Sequence, residues 1–344
     1  MNRNIYKFKK RVFITSSSSV VGKKEKESPL APLFDISGDD KFSKDTWEKS
    51  EAEMQRLALN IAINKASLSP SDVDLLFAGD LINQCISSSF GLIEFQIPFL
   101  GLFGACSTCA EGLLMSAVYS ANICDRCAAV TSSHFCSAER QFRYPLEYGG
   151  QRPPSAQWTV TGSGAFVVSS VTDDIKNSDE EFIPEIVDVM PGRIVDRGIT
   201  DANNMGGAMA PSAYDTVKKY MDLGHSPEEF DLIVTGDLGF EGSGILLDLL
   251  SASRIDITKN HADCGLMIFD RQKSDVHAGG SGCGCSAVVL AADILKNIKN
   301  GVLENVLFIG TGALMNSMSV NQGRTIPGIA HLIHIKGTKK SLIQ

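Results

Sequence analysis

The sequence predicts an α/β fold made of two similar halves. The stretch Asp74-Leu-Leu-Phe-Ala-Gly-Asp-Leu81 returns 157 positions later as Asp231-Leu-Ile-Val-Thr-Gly-Asp-Leu238. In each half, a turn of small residues, around Cys106 or at 279–285, leads into an apolar helix. Strand and helix patterns alternate in the same order twice. This predicts two βαβ-rich halves related by a pseudo-twofold axis, with mostly buried parallel strands.

The first half, placed at residues 10–180, begins with a weakly patterned stretch. Val12–Ile14 and Val20–Val21 are expected to form an edge strand or hairpin, and Lys23–Glu27 a solvated loop. Apolar side chains at helical spacing predict an amphipathic helix over 46–67. Short apolar runs then predict four strands: Leu75–Ala78, Ile97–Phe103, Ala128–Thr131 and Thr159–Val168.

A long loop is predicted at residues 139–154, between the last two of these strands. It carries Arg140, Arg143 and Arg152 and two tyrosines. Loops of this length in a compact domain are usually functional or interfacial.

The second half, placed at residues 181–340, follows the same order. Leu232–Thr235, Cys264–Phe269 and Val306–Ile309 have the apolar character of buried strands, and Ser286–Ile298 that of a helix.

Composition limits the classes of function. The 344 residues carry a formal net charge of −8, which argues against general nucleic-acid binding. Nine cysteines and no secretory leader indicate reduced thiols in a cytoplasmic type of environment. No window is apolar over the length of a bilayer span, so any membrane association is expected to be peripheral.

The candidate site lies where ligands bind in such sheets, beyond the carboxyl ends of the strands. Cys106 sits at the first turn of a predicted helix, where unpaired amides and the helix dipole favour a thiolate or a bound anion. The alternative is an inert buried cysteine. Four other features fall at the same edge: Asp80, His134, Asp237 and the glycine turn 279–285.

Each of these features has a structural alternative. His134 is either a ligand contact or a hydrogen-bonded loop histidine. Asp80 and Asp237 either cap turn amides or bind a cation or a proton-bearing ligand. The three loop arginines either clamp a carboxylate or form interfacial salt bridges. The exposed backbone amides of the glycine turn are only weak evidence for a phosphate-binding site.

Two Cys-x-x-Cys pairs suggest a zinc site at first sight. Cys106/Cys109 and Cys124/Cys127 are separated by a predicted helix of about 15 residues, so the pairs lie roughly 22 Å apart. They cannot share one ion. A redox pair at Cys106/Cys109 is a weaker alternative, because no thioredoxin-like context surrounds it.

Several motifs together resemble a known family. The duplicated order and the cysteine turn are similar to the thiolase fold of condensing enzymes, and the longer motifs resemble the stage V sporulation protein AD family. These motifs are Phe103-Gly-Ala-Cys-Ser-Thr108, Ser132-Ser-His134, Ala138-Glu-Arg-Gln-Phe-Arg-Tyr-Pro145, Thr159-Val-Thr-Gly-Ser-Gly-Ala165, Asp263-Cys-Gly-Leu-Met-Ile268 and Ala278-Gly-Gly-Ser-Gly-Cys283.

The resemblance implies a fold and a function. The fold would be five-layered, α-β-α-β-α. The function would be non-catalytic binding of dipicolinic acid, or of its calcium chelate, for uptake into the developing spore. The partners would be the SpoVA membrane proteins and a second copy of the chain, at the spore inner membrane, with no cofactor. The ligand-binding residues would be Cys106, Ser107, His134, Asp80, Asp237, Arg152, Gly280 and Ser281.

The residues themselves favour binding over catalysis. Claisen chemistry needs a thiolate and two polar partners, usually His-His or His-Asn. By chain order one partner should follow Leu232–Thr235, where the sequence reads Gly236-Asp-Leu-Gly239. The other should lie in 279–285, which has neither histidine nor asparagine. Two alternatives remain: a cysteine-dependent acyltransferase acting on a thioester, and a scaffold with a vestigial cleft.

Overall fold

The structure is a computed structural model that describes residues 5–143 and 152–343, the side chain of Arg143 excepted. Thirteen strands are found in this part of the chain. They are β1 (Tyr6–Val21), β2 (Ile36–Ser37), β3 (Leu75–Gly79), β4 (Phe99–Gly101), β5 (Arg126–Ser133), β6 (Trp158–Thr159), β7 (Gly162–Ser169), β8 (Phe182–Met190), β9 (Leu232–Thr235), β10 (His261–Asp263), β11 (Gly280–Ser281), β12 (Asn305–Ala313) and β13 (Gly328–Lys339).

The helices of the same residues are α1 (Trp47–Lys65), α2 (Ile86–Gly91), α3 (Thr108–Asn122), α4 (Phe135–Arg143), α5 (Thr172–Lys176), α6 (Met205–Met221), α7 (Gly239–Ala252), α8 (Cys264–Met267), α9 (Cys283–Val289), α10 (Leu295–Lys299) and α11 (Ser317–Asn321). A π-helical turn, Leu290–Ile294, joins α9 to α10. Among the described residues, no helix has both the length and the apolar character needed to cross a bilayer.

The strand order shows the duplication directly. From one edge to the other the sheet reads β10-β9-β12-β13-β8 and then β1-β7-β5-β3-β4, with β2 beside β1. Each half therefore has five strands in equivalent places, and the halves meet where β1 pairs antiparallel with β8. This arrangement confirms the predicted fold of two pseudo-symmetric halves.

The sheet contains both parallel and antiparallel pairs. Parallel pairs occur towards the two edges, for example β3 with β5 and β9 with β12. The central pairs are antiparallel, including β5 with β7 and β12 with β13. Within each half, four of the five strands nevertheless run in the same direction, as predicted, because only the last strand, β7 or β13, lies antiparallel to the rest.

Three apolar clusters separate the five layers. One lies between α1 and the strands of the first half, and includes Met54 and Leu59. Another lies between the strands of the second half and α6 and α7, and includes Tyr220 and Leu246. The central cluster surrounds α3 and α9, which pack between the two groups of strands.

β1 is a central strand rather than the predicted edge strand or hairpin. It runs over 16 residues, including four consecutive serines. The Ser16 and Ser18 hydroxyls each donate to a carbonyl of α1, at Ala62 and Ala58, both at 2.6 Å. Buried polar groups are tolerated when they are hydrogen-bonded, so these serines do not interrupt the strand.

Three other predictions are corrected. Lys24–Glu27 is a 3₁₀ turn in which Glu25 is fully buried, not a solvated loop. Cys264–Met267 is helical, because the strand of this region, β10, ends at Asp263. The predicted loop 139–154 begins as helix α4, while residues 144–151 of that loop lie outside the described residues.

The repeated motif has one equivalent role in both halves. Asp74 Oδ2 accepts the amides of Asp125 and Arg126, each at 2.9 Å. Asp231 Oδ2 accepts the amides of Glu304 and Asn305, at 2.7 and 2.9 Å. Each aspartate thus ties the start of one strand to the start of its neighbour.

Candidate functional site

The turn before α3 presents Cys106 to a cleft. Ala105 adopts a left-handed conformation (φ 51°), which is unusual for a residue with a Cβ. Thr108 stabilises this turn: its hydroxyl accepts the Gly104 amide and donates to the Ala105 carbonyl. The sulfur is then held at the floor of the cleft, with 5% of the residue exposed.

The cleft is narrow, with a cavity volume of about 30 Å³. Most of its described lining is apolar, and the polar groups are Cys106, Glu139, Thr159 and Ser281. The remaining lining residues are Leu81, Ala105, Ala138, Phe142, Met205, Ala313 and Met315.

The second half supplies the polar partners of the sulfur. Ser281 lies in β11, and its hydroxyl is 3.9 Å from the Cys106 sulfur. That hydroxyl donates to Asp237 Oδ2 at 2.8 Å. Asp237 also accepts the Gly282 amide and the Thr311 hydroxyl. The order from the cleft inwards is therefore thiol, hydroxyl, carboxylate.

The electrostatics correct the expectation of a thiolate. Burial raises the pKa of the Cys106 thiol well above its usual range, and the negative charge of Asp237 raises it further. The partial positive charge at a helix N-terminus is only about half a unit, so it does not outweigh these two effects. The surroundings of Cys106 therefore favour the thiol over the thiolate.

Asp237 is itself fully buried. Burial raises the pKa of its carboxyl above the usual value, and its hydrogen-bond donors, the Cys106 thiol among them, oppose that rise.

Four of the predicted binding residues are brought together. Cys106 and Ser281 line the cleft. Asp237 and Gly280 lie directly behind them, and the Gln157 side-chain amide bridges their carbonyls with two bonds of 2.8 Å.

Asp80 and His134 are held away from the cleft. Asp80 accepts the Ile82 amide with one oxygen and the Ser88 amide and hydroxyl with the other, so it caps the start of α2. His134 accepts the Cys136 amide at Nδ1 and faces the Asp40 carbonyl from Nε2 at 2.8 Å. Burial lowers its pKa. Both side chains therefore make hydrogen bonds within the protein, which was the alternative to contact with a ligand.

Ser107 and the arginines also have structural partners. The Ser107 hydroxyl donates to the Gly104 carbonyl at 2.6 Å. Arg152 donates to the Asp275 carbonyl and its guanidinium lies over the Trp158 ring. Arg140 pairs with Glu48. The side chain of Arg143 lies outside the described residues, so the predicted carboxylate clamp is not seen in the part that the structure describes.

Several residues that line the cleft are not among the predicted site residues. Glu139 and Phe142 fall in the predicted loop, but both lie on one face of α4, and the Thr159 hydroxyl donates to Glu139 at 3.3 Å. Their spacing of three residues was an available signal. Met205 and Met315 are distant in the chain and carried no signal. Among the described residues, no three His, Cys, Asp or Glu side chains are grouped closely enough to hold a metal ion.

Comparison with known sequences identifies relatives over nearly the whole chain. The family model for stage V sporulation protein AD (SpoVAD) matches residues 2–336. Stage V sporulation protein AD of Bacillus subtilis (strain 168) is 43% identical over 327 residues, with 94% of each chain covered.

Solved structures share the fold at low sequence identity. An OleA variant from Xanthomonas campestris is 13% identical with a TM-score of 0.61, over 96% of this chain and all of the other. The 3-oxoacyl-[acyl-carrier-protein] synthase III of Aquifex aeolicus VF5 is 12% identical with a TM-score of 0.56, over 94% and 99%. Human mitochondrial 3-ketoacyl-CoA thiolase is 11% identical with a TM-score of 0.56, over 96% and 98%. These similarities show a thiolase-like fold.

Proposed function

The chain belongs to the stage V sporulation protein AD family of sporulation proteins, and from this premise we propose that it binds dipicolinic acid, free or as its calcium chelate, in the cleft above Cys106. Binding is non-covalent and serves uptake of the ligand into the developing spore. The SpoVA membrane proteins are the partners in that transport.

One observation carries the proposal: the sulfur faces a cleft, but its neighbours from the second half are Ser281 and Asp237. Carbon–carbon bond formation needs donors that stabilise an enolate and its oxyanion. A hydroxyl committed to a buried carboxylate is a poor donor for that task. The cleft therefore keeps the sulfur but lacks, in its described lining, the donors that Claisen chemistry needs.

The walls of the cleft suit a small flat ligand. The methyl groups of Ala105, Ala138 and Ala313 and two methionines supply apolar walls for a pyridine ring. Glu139 is the carboxylate of the described lining, and a calcium ion carried by the ligand would offset its repulsion of two ligand carboxylates. This favours the chelate over the free dianion.

We propose further that the protein is a homodimer joined at β4. This strand is the edge of the sheet, and Phe99 and Leu100 are 38% and 42% exposed there. Phe103, just beyond the strand, is 50% exposed. An uncovered apolar edge strand is a template for pairing with another chain, and a second copy offers the same edge. The dimer would be held peripherally at the spore inner membrane by its SpoVA partners.

Isothermal titration with dipicolinate, with and without calcium, tests the ligand. Wild type should give saturable heat at one site per chain, with tighter binding when calcium is present. Ala138→Leu narrows the cleft from α4 and should weaken binding at least about tenfold. Cys136→Leu enlarges a side chain of the same helix that does not line the cleft, and should bind as wild type. No saturable heat in wild type, or equal binding by Ala138→Leu, contradicts the proposal.

The acyltransferase alternative is supported by the position of the Cys106 sulfur at the floor of the cleft and by the apolar lining of the cleft. Incubation with a panel of acyl-CoA thioesters followed by intact mass measurement separates it from ligand binding. The proposal predicts an unmodified chain. A covalent acyl adduct on Cys106 would favour the enzyme.

A further inference from the structure

We propose that Asp237 is a positioning residue that keeps the Cys106 sulfur in its protonated form and so makes the cleft chemically inert. The inference goes beyond the function proposed above, because it concerns the sulfur of the empty protein and applies whichever ligand fills the cleft.

Besides the Cys106 thiol, three donors fix the carboxylate in place. The Ser281 hydroxyl and the Gly282 amide donate to Oδ2 at 2.8 and 2.9 Å. The Thr311 hydroxyl donates to Oδ1 at 2.8 Å and accepts the Asp237 amide at 3.0 Å. These groups come from β11, from the turn before α9 and from β12, so Asp237 cannot turn away without breaking contacts to several elements.

The geometry makes the sulfur a donor. Ser281 already uses its hydroxyl hydrogen on Asp237, so towards Cys106 it can only accept. The thiol proton has two acceptors, this oxygen and the Asp237 carboxylate. Removing that proton would place a second negative charge beside the buried carboxylate, and like charges in a water-poor site disfavour the ionised form.

No other group near the Cys106 sulfur offsets the effect of Asp237 on ionisation of the thiol. Cys109 lies on its own helix, α3; Cys283 and Cys285 face it from α9; Glu139 lies across the cleft on α4. Asp263 lies behind Asp237 and accepts the Leu238 and Gly239 amides. Among the described residues that line the cleft, no side chain is positively charged. The N-terminus of α3 contributes only a partial charge.

Alkylation by iodoacetamide, without any ligand, directly measures the reactivity of the Cys106 sulfur. The thiolate attacks the methylene carbon, a carbon–sulfur bond forms, iodide leaves, and the thiol proton goes to solvent. The rate at each cysteine is followed by peptide mass spectrometry from pH 6.5 to 9.5. Cys124, which is partly exposed, serves as an internal reference, and the buried Cys109 reports any general opening of the fold.

In wild type, we expect the Cys106 rate to rise with pH without reaching a plateau below pH 9. Asp237→Asn should accelerate Cys106 at pH 8 at least about tenfold relative to Cys124, since one unit of pKa corresponds to a tenfold change in thiolate. Ser281→Ala removes only the intervening hydroxyl and should be no faster than wild type. Cys109 should stay unmodified in all three proteins.

Three results would overturn the inference: an unchanged Cys106 rate in Asp237→Asn, equal acceleration in Ser281→Ala, or acceleration that is accompanied by modification of Cys109. If Asp237→Asn does not fold, the wild-type profile decides, because a plateau below pH 9 contradicts a suppressed thiolate. Failure of dipicolinate binding would leave each of these alkylation results unaffected.

Discussion

The turns before α3 and α9 are equivalent in the two halves, yet they present their cysteines to different surroundings. In the first half, Ala105 (φ 51°) precedes Cys106, whose sulfur faces the cleft. In the second half, Gly282 (φ 101°) precedes Cys283, which is fully buried and donates to the Ser132 carbonyl at 2.9 Å. The duplicated backbone offers the same turn twice, and the packing around it determines which sulfur can meet a ligand.

The same contrast holds for the two aspartates that follow β3 and β9. Asp80 turns back to cap its own helix, whereas Asp237 reaches across to Ser281 and Thr311. The two aspartates therefore occupy equivalent positions but have different roles. Asp80 stabilises the start of α2, whereas Asp237 helps to form the polar end of the cleft.

The largest effect should come from adding a Cβ to the turn of the second half. In Gly282→Ala the new atom would lie 2.6 Å from the Ser133 hydroxyl oxygen. That hydroxyl is held by the Val160 carbonyl and the Gly284 amide. Overpacking and the positive φ together should lower the free energy of unfolding by about 2–4 kcal/mol, measured by denaturant titration.

Two control variants separate the effect of overpacking from the effect of the positive φ. Gly198→Ala has a positive φ but open space around it, so it should lose only about 1 kcal/mol. Ala105→Gly relieves the strained alanine at the cost of chain entropy, and should change stability by less than about 1 kcal/mol. Equal losses in Gly282→Ala and Ala105→Gly would show that the two turns are packed alike.

The second-largest effect should be a pH dependence of the free energy of unfolding, caused by Glu25 in the first half. Burial raises the pKa of Glu25 to about 8. The folded chain therefore keeps a proton that the unfolded chain releases near 4.5, so stability is present at low pH and is lost as pH rises towards 8. Between pH 5.5 and 7.5, wild type should lose about 2 kcal/mol more than Glu25→Gln.

Glu27→Gln, at an exposed position of the same turn, is the matched control and should behave as wild type. Burial also raises the pKa of Asp263, in the second half, to about 7. A pH slope that is the same in wild type and Glu25→Gln would mean that Glu25 is ionised in the folded protein.

The smallest effect tests where the halves remain equivalent. Asp74→Ala and Asp231→Ala each remove an acceptor of two strand amides. Each should cost about 1 kcal/mol by thermal or chemical unfolding, with similar values for both. A loss confined to one variant would show that the motif has diverged in structure as well as in sequence.

Local sequence patterns predicted the structural features that depend on residues close to one another in the chain. The helical spacing over 46–67 became α1, and the small residues around Cys106 became a turn before α3. The serines of β1 misled because their acceptors, the carbonyls of α1, lie about 40 positions away. The different roles of Asp80 and Asp237 depend on tertiary partners in the same way. Met205 and Met315 line the same cleft although they lie 110 positions apart in the chain.

The most direct test of the account is a crystal of the protein soaked with dipicolinate and calcium. The account predicts one ligand per chain in the cleft, its ring between Ala138 and Met315, with the Cys106 sulfur unmodified beneath it. Ligand density elsewhere with an empty cleft, or a covalent bond to that sulfur, would contradict it.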